Sequence, residues 1–505
     1  MEKFPHSSDP DRREWCSPES GRPLPLRRIA VVIALTAGFA APPAATAQFG
    51  PPEMNDPEVR ADAWGMPGDQ LVADATGRAL WASAAFIGSG GKRQMAVYER
   101  CGAAATWPRV ALLGELTTEL WPQGIAVTPA GDALAVWRIA DGASFSTFYS
   151  SARPAGGAWG APQQIVAGNF GGIEFALSDA GEAVAAWTST AGVQASIRPA
   201  GGAWGAPTTL TAQADRSAHV AMSAGGDAVV TSWDPPVWMR AFYRPAGGSW
   251  SGEETVEQTN YQLEPNSQKV EFDGQGRAVS VFSQNGFLHA AVRSGGAPWG
   301  STTILDETAA IAVHTLARHP NGLIAVWNRK ESLQSSNDQL GVARLGAGWE
   351  AKRLYDPPGR FMGATATASS TGAILLAAAQ EGGPSGDEDI VGVIVPSLVA
   401  AWPDELPRIS PASTPTALYR NPVATGGGAA LFLAWGVHGA PTDFSQAIAT
   451  NAAPATCSPS QPQPQPVPPT PPQPAPGPLP PSRRRRRSEG SSSSRSPRRA
   501  SSGAG

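Results

Sequence analysis

The sequence repeats itself: the ten residues RPAGGAWGAP stand at 153–162 and again, unchanged, at 198–207. An altered copy, RPAGGSWSGE, begins at Arg244. The tryptophan of this motif recurs along the chain at positions 107, 159, 204, 250, 299 and 349, with a further candidate at 402. A fixed period of roughly 40–50 residues is typical of arrays built from one repeated structural unit.

A second signature alternates with the first, as in AGDALAVW, which ends at Trp137, and AGEAVAAW, which ends at Trp187. Its glycine occurs eight times at a spacing of about 50 residues, at positions 77, 131, 181, 226, 276, 322, 372 and 428. Short apolar or alternating runs flank each glycine, which is the pattern of a β-hairpin. The unit 217–257 contains four such runs, and four short strands describe one blade of a β-propeller.

The sequence therefore predicts an all-β fold, a β-propeller of about eight four-stranded blades, with seven blades as the alternative. The motif RPAGGAWGAP becomes a turn between the third and fourth strands, in which glycines supply positive φ angles and the tryptophan packs between blades. We interpret the repeated Arg153, Arg198 and Arg244 as scaffold, because a feature present in successive blades is structural.

The sequence predicts that the chain consists of four segments. Residues 1–47 are predicted to be a signal peptide, because two arginines precede the apolar run IAVVIALTAGFAA and the small residues Ala45-Thr46-Ala47 follow it; a membrane anchor is the alternative. Residues 48–457 form the repeat domain, 458–482 a proline-rich linker, and 483–505 a disordered tail rich in arginine and serine. We expect a secreted or cell-surface protein whose tail either contacts acidic envelope polymers or is only a spacer.

The charge of the repeat region restricts its possible binding partners, and the cysteine content indicates a possible disulfide. Residues 48–481 carry 24 Lys and Arg against 36 Asp and Glu, which argues against nucleic acid as a partner of the propeller. Removal of residues 1–47 leaves two cysteines, Cys101 and Cys457. In an oxidising exterior they are predicted to form a disulfide that joins the first unit to the last; two unpaired thiols are the alternative.

On these motifs, residues 55–455 resemble the secreted β-propeller repeat proteins of high-GC bacteria. The resemblance implies the architecture and no particular activity. The chain departs from the sialidase Asp-box, since Ser178-Asp179-Ala180-Gly181 has its acid one place early, and it lacks the Gly-His and Trp-Asp pairs of WD40 blades. Glycosidase activity is therefore not implied.

The eighth unit contains only three strand-like runs before the proline-rich segment. Propellers commonly close by taking the missing strand from the other end of the chain. We predict that PEVRADAW, residues 57–64, supplies it.

A ligand is expected on the face formed by the loops between blades and between the second and third strands, because these loops vary while the scaffold repeats. Five aromatic residues near this face are candidate ligand contacts, with edge packing as the alternative: Trp121, Trp238, Tyr261, Phe361 and Tyr419. No cofactor is predicted. Asp387–Asp389 with Asn337 and Asp338 could supply oxygen ligands to calcium, but a solvated acidic loop is favoured.

No motif argues for catalysis: His219, His289 and His314 fall in strands without a carboxylate at fixed spacing and are interpreted as fillers. The predicted function is a monomeric binding or scaffold module for an extracellular glycan or protein. An extracellular glycan or peptide hydrolase or lyase on the same propeller is the alternative, which two acids about 5–10 Å apart at the channel mouth would favour.

Overall fold

The computed structural model describes residues 53–54, 71–87, 91–101, 107–140, 146–168, 170, 172–213, 217–234, 238–258, 263–284, 286–307, 310–330, 338–356, 360–381, 389–409, 418–439 and 443–451. The chain divides into two units, Met1–Thr46 and Ala47–Gly505, and all described residues lie in the second. Every regular element among them is a β-strand, so the all-β prediction is confirmed for this part of the chain. No helix in these ranges is long and apolar enough to cross a membrane.

The strands pair into antiparallel sheets. The first strand, β1 (Glu53–Met54), has only two residues. The sheets are numbered in the order in which the strands after β1 follow along the chain. Sheets 1 to 4 each contain four strands, as predicted. They are sheet 1 (β2 Leu71–Ala73, β3 Ala79–Phe86, β4 Arg93–Arg100, β5 Arg109–Thr117), sheet 2 (β6 Leu120–Val127, β7 Ala133–Ala140, β8 Ser146–Arg153, β9 Gln163–Gly168), sheet 3 (β10 Ile173–Leu177, β11 Ala183–Ser189, β12 Gly192–Arg198, β13 Thr208–Thr211) and sheet 4 (β14 Ala218–Met222, β15 Ala228–Asp234, β16 Trp238–Arg244, β17 Glu254–Gln258).

The remaining strands continue the same order, except that sheet 7 has three strands and sheet 8 takes β1 as its fourth. They are sheet 5 (β18 Leu263–Phe272, β19 Ala278–Gln284, β20 Phe287–Arg293, β21 Thr303–Asp306), sheet 6 (β22 Ala310–His319, β23 Gly322–Lys330, β24 Asp338–Leu345, β25 Arg353–Tyr355), sheet 7 (β26 Arg360–Ala368, β27 Ile374–Glu381, β28 Asp389–Val395) and sheet 8 (β29 Leu418–Gly427, β30 Ala430–Gly439, β31 Asp443–Asn451).

Successive sheets pack against one another. The first strands of neighbouring sheets are in contact from β2 through to β29, and β29 in turn contacts β2. Each core cluster of the described residues lies between two consecutive sheets, and one of them joins Phe432 of sheet 8 to Trp81 of sheet 1. Burial of apolar side chains between sheets is therefore what holds the repeats together.

The closing strand differs from the prediction. Glu53 pairs with Ile448 and Met54 with Ala447, so β1 completes sheet 8 from the outside. The predicted segment 57–64 lies outside the described residues. A chain end does supply the missing strand, but residues upstream of PEVRADAW do so, because a two-residue strand is too short to leave an alternating pattern in the sequence.

The predicted hairpin glycines lie between the first and second strands of their sheets. Gly131 and Gly181 have φ angles of 99° and 84°, a backbone conformation that only glycine adopts without strain. Hydrogen bonds also join hairpins of neighbouring sheets. The Ala75 amide donates to the Pro129 carbonyl at 3.1 Å, and the Asp179 amide donates to the Ala224 carbonyl at 3.2 Å.

The motif RPAGGAWGAP forms the same turn in each copy. The Gly157 amide donates to the Pro154 carbonyl at 2.8 Å, and in the second copy Gly202 donates to Pro199 at 2.9 Å. The Ala155 amide donates to Asp132 Oδ1 at 2.9 Å, and Asp132 lies in the first hairpin of the same sheet. The repeated turns and the hairpins therefore share one face, as predicted.

The motif tryptophans and arginines pack between sheets. Trp159 is 6% exposed and lies in the core between sheets 1 and 2. Trp204 is half-buried between sheets 2 and 3, where its Nε1 donates to Ser150 Oγ at 2.8 Å. Arg153 Nη1 lies 2.7 Å from Glu99 Oε2 of the preceding sheet. These contacts support the interpretation of the motif RPAGGAWGAP as scaffold.

Cys101 follows β4 directly and is disulfide-bonded. Its partner lies outside the described residues, so pairing with Cys457 stays a prediction.

Candidate ligand-binding site

A central cavity of about 1350 Å³ is lined by the first strands of all eight sheets. Its lining is asymmetric. Sheets 3 to 6 contribute ionisable side chains, including Glu174, His219, Lys269 and His314. Sheets 7 and 8 contribute mainly alanine, threonine, serine and glycine, along 362–370 and 424–428. A cavity that combines convergent polar groups with small uncharged ones is the usual form of a ligand site.

One position of the repeat carries most of this chemistry. Seven residues before the hairpin glycine, successive sheets place Glu174, His219 and Lys269, followed by Thr315 and Thr365. The position lies three or four residues before the end of each of these first strands, and therefore at a similar distance from the hairpin in each sheet. Side chains that differ at an equivalent position of a repeating scaffold are expected to serve binding and not folding.

Glu174 and His219 form a carboxylate–imidazole pair across sheets 3 and 4. Glu174 Oε1 lies 2.8 Å from His219 Nδ1, and Glu174 Oε2 accepts the Val220 amide at 3.3 Å. Burial raises the pKa of Glu174, but the charge and hydrogen bond of His219, the charge of Lys269 and the Val220 amide together outweigh burial. The pKa falls to about 2, so Glu174 is ionised at neutral pH.

His219 and His314 each leave one ring nitrogen without a partner. His219 is 9% exposed, its Nδ1 is engaged by Glu174, and its buried Nε2 has no hydrogen-bond partner. His314 Nε2 is likewise buried and unpaired. A buried polar atom without a partner costs about 1–3 kcal/mol, so both nitrogens are sites that a ligand or water would satisfy.

Burial also decides the charge of His314. Burial lowers its pKa from 6.5 to about 4, and the Lys269 ammonium acts in the same direction, while a hydrogen bond to the Asn328 side chain opposes them. His314 is therefore a neutral imidazole at neutral pH.

The His314 shift predicts a pH dependence of stability. The unfolded chain binds a proton near pH 6.5 and the folded chain only near pH 4, so stability is complete above pH 6.5 and decreases as pH falls toward 4. His314→Gln removes this contribution. Urea unfolding of both proteins between pH 7 and pH 4 should show the wild type losing more stability than the variant over this interval; parallel profiles would contradict the assignment.

Two of the predicted aromatic contacts have described side chains. Trp121 begins the first strand of sheet 2 and is half-buried, with the guanidinium carbons of Arg93 and Arg138 at 5.6 and 5.9 Å from its ring. Phe361 is 2% exposed and packs in the core between sheets 6 and 7. Neither Trp121 nor Phe361 is among the residues that line the cavity, and a ligand contact by either one stays a prediction.

The other predicted site residues fall wholly or partly outside the description. Tyr261 is not among the described residues, and only the backbone of Trp238 and Tyr419 is described. Asn337, Asp387 and Glu388 of the considered calcium site also lie outside, while Asp389 is buried and its Oδ1 lies 3.0 Å from Arg408 Nη2. Within the described ranges no group of three or more His, Cys, Asp or Glu could hold a metal ion.

Sequence analysis missed Glu174 and Lys269, and it treated His219 and His314 as fillers. Each residue alone is ordinary. The signal was the spacing, because Glu174, His219 and Lys269 are 45 and 50 residues apart, which is the period of the repeat. Residues separated by one period occupy equivalent positions in neighbouring sheets.

No protein-family model and no curated protein matches the sequence. Among solved structures, a lectin from Burkholderia pseudomallei is similar with a TM-score of 0.47 and 14% identity, over 67% of this chain and 97% of that one. An ulvan lyase, a polysaccharide lyase, has a TM-score of 0.42 and 10% identity, over 73% and 98%. An α-L-arabinofuranosidase from Fusarium graminearum has a TM-score of 0.37 and 10% identity, over 70% and 98%. These similarities are too remote to carry a functional argument.

Proposed function

We propose that this chain is an eight-bladed β-propeller that binds an extracellular glycan or protein ligand in its central cavity. Each sheet is one blade, and β1 closes the ring by completing sheet 8. The proposal of eight blades is supported by eight sheets in the described residues, by the packing of each sheet on the next, and by the contact between β29 and β2.

The protein acts outside the cell, either secreted or held at the surface. This part of the proposal rests on the sequence of residues 1–47, with its apolar run and small-residue cleavage site. A disulfide between Cys101 and Cys457 would suit that compartment. It would also fasten the first blade to the last.

The observation that carries the binding function is the unsatisfied polar chemistry of the cavity. His219 Nε2 and His314 Nε2 are buried without hydrogen-bond partners, and both residues line the cavity. Buried polar groups are nearly always paired in folded proteins. A ligand with hydroxyl or amide groups would pair them, and a glycan or a peptide carries such groups at close spacing.

A hydrolase or lyase remains the second candidate, and one contact favours it. The Glu174 carboxylate accepts a hydrogen bond from His219 Nδ1, which leaves Nε2 as the unpaired nitrogen of a residue that lines the cavity. A carboxylate that orients an imidazole in this way is a common arrangement for proton transfer. Turnover of a bound ligand therefore separates the two candidates.

The test is a glycan and peptide array probed with the purified protein, beside His219→Gln and His289→Gln. His289 is the matched control, because it stacks on Phe282 at 5.6 Å and is not among the residues that line the cavity. We expect the wild type and His289→Gln to retain the same ligands and His219→Gln to lose at least about tenfold in affinity, as for a lost hydrogen bond.

An array on which the wild type retains no ligand, or retains it equally after His219→Gln, would contradict the proposal. Mass spectrometry of each retained ligand after incubation distinguishes the two candidates. An unchanged mass supports a binding module, and shortened or unsaturated products support the enzyme.

A further inference from the structure

Two cations line the cavity in the described residues, and they differ in their surroundings. Arg318 is paired with an acid: its Nη2 lies 2.9 Å from Glu271 Oε1, and its Nε donates to the Phe272 carbonyl at 3.0 Å. Lys269 lines the same cavity, is half-buried, and has neither an ion pair nor a side-chain hydrogen bond among the described residues.

The acid at the equivalent position two sheets earlier, Glu174, already has hydrogen-bond partners. One carboxylate oxygen of Glu174 is hydrogen-bonded to His219 Nδ1, and the other accepts a hydrogen bond from the Val220 amide. The Lys269 ammonium acts on Glu174 only through space, and it also acts on His314. Its positive charge therefore stands in the cavity without a directly bound counter-ion.

His219 stands beside Lys269 at the equivalent position of the neighbouring sheet. Its Nε2 is the one hydrogen-bonding atom of the ring that Glu174 leaves available. In the neutral imidazole whose Nδ1–H donates to Glu174, Nε2 is an acceptor, so Lys269 is the donor at these two positions that an anion could use. Burial of an ammonium is costly unless an anion pairs with it.

We propose that Lys269 binds a carboxylate group of the ligand, which rests on the proposed function and extends it by naming the ligand's charge class. One unpaired cation suits a singly charged carboxylate; phosphate groups are usually held by several cations or by a set of backbone amides. The small uncharged side chains of sheets 7 and 8 leave room for the uncharged remainder of the ligand. Two sources carry such a group: an acidic glycan or an acidic peptide.

The test compares each acid with its uncharged counterpart. Calorimetry would measure the binding of an oligogalacturonate against its methyl ester, and of a glutamate-rich peptide against the glutamine peptide of the same length. The variant is Lys269→Met, and Lys92→Met is the matched control, because Lys92 is exposed and does not line the cavity. The two pairs of probes distinguish the two sources.

We expect the wild type and Lys92→Met to prefer one acid over its uncharged counterpart by at least about tenfold, as for a charge-assisted hydrogen bond. Lys269→Met should lose that preference, while Lys269→Arg should keep part of it. Equal binding of acid and uncharged probe by the wild type, or an undiminished preference in Lys269→Met, would overturn the carboxylate site and leave the proposed function standing. Binding of none of the four probes would contradict the proposed function itself.

Discussion

Replacement of Trp159 by alanine is expected to lower the free energy of unfolding by about 3–5 kcal/mol, the usual cost of truncating a buried large aromatic side chain. The ring is 6% exposed and lies in the core shared by sheets 1 and 2. Its loss leaves a cavity between the two sheets that the neighbouring strands cannot close, because both are fixed in their own sheets. Urea denaturation followed by tryptophan fluorescence measures the effect.

Trp204→Ala is the internal comparison, since the same motif places it one unit later. Trp204 is only half-buried, although its Nε1 donates to Ser150. We expect a smaller loss of stability than for Trp159→Ala. Equal and small losses for both variants, below about 1 kcal/mol, would show that the motif tryptophans are not what joins the sheets.

Replacement of Arg153 by methionine is expected to cost about 3–5 kcal/mol, the range for breaking a buried ion pair by removing one partner. Arg153 and Glu99 are each 2% exposed and lie 2.7 Å apart across sheets 1 and 2. The variant leaves the Glu99 carboxylate buried without its closest cation, since Arg78 Nε lies farther away, at 3.8 Å. Denaturant unfolding at neutral pH measures the loss.

The double variant Glu99→Gln with Arg153→Met should recover much of that stability, because no buried charge is then left unpaired. Arg353→Met is the surface control. Its partner Asp404 is 96% exposed, so this change should cost about 0–1 kcal/mol. A double variant that is as unstable as Arg153→Met would contradict the ion-pair explanation. Arg153 also lies 5.5 Å from the Trp159 ring, so the Arg153 and Trp159 effects should not add independently.

The repeat made the scaffold predictable. Short sequence patterns predict local backbone geometry well. The period of the repeat, the hairpin glycines such as Gly131 and the turn at 154–157 are patterns of this kind. The closing strand could not be predicted in the same way. Glu53 and Met54 are held by pairing with β31 at the far end of the chain, and two residues carry no pattern of their own.

The aromatic contacts were harder to predict because strand irregularities decide where a side chain points. The pairing register shifts between Phe361 and Gly363 in sheet 7, and between Pro122 and Gly124 in sheet 2. A slip of one residue turns a side chain to the other face of a sheet. Phe361 and Trp121 stand at similar places in the sequence of their units, yet one is buried in the core and the other is half-buried.

The cavity cluster depended on a relation that single motifs do not express. Glu174, His219 and Lys269 meet only because equivalent positions of consecutive units line one cavity. Sequence reasoning found the period and the strands but did not compare the same position across units. That comparison predicts from residue numbers alone that Glu174 and His219 are neighbours. Only the structure shows that Lys269 has no ion pair among the described residues.

The measurement that tests the central claim most directly is a paired assay of stability and ligand binding on Trp159→Ala and Lys269→Met, with the probe that the wild type binds best. If the repeated turn is scaffold and the cavity is the site, Trp159→Ala loses stability and still binds under conditions where it remains folded. Lys269→Met then keeps its stability and binds an acidic probe at least about tenfold more weakly than the wild type does. If instead Trp159→Ala abolished binding at unchanged stability, and Lys269→Met bound as the wild type does, the motif RPAGGAWGAP would belong to the site and the assignment of the two faces would be reversed.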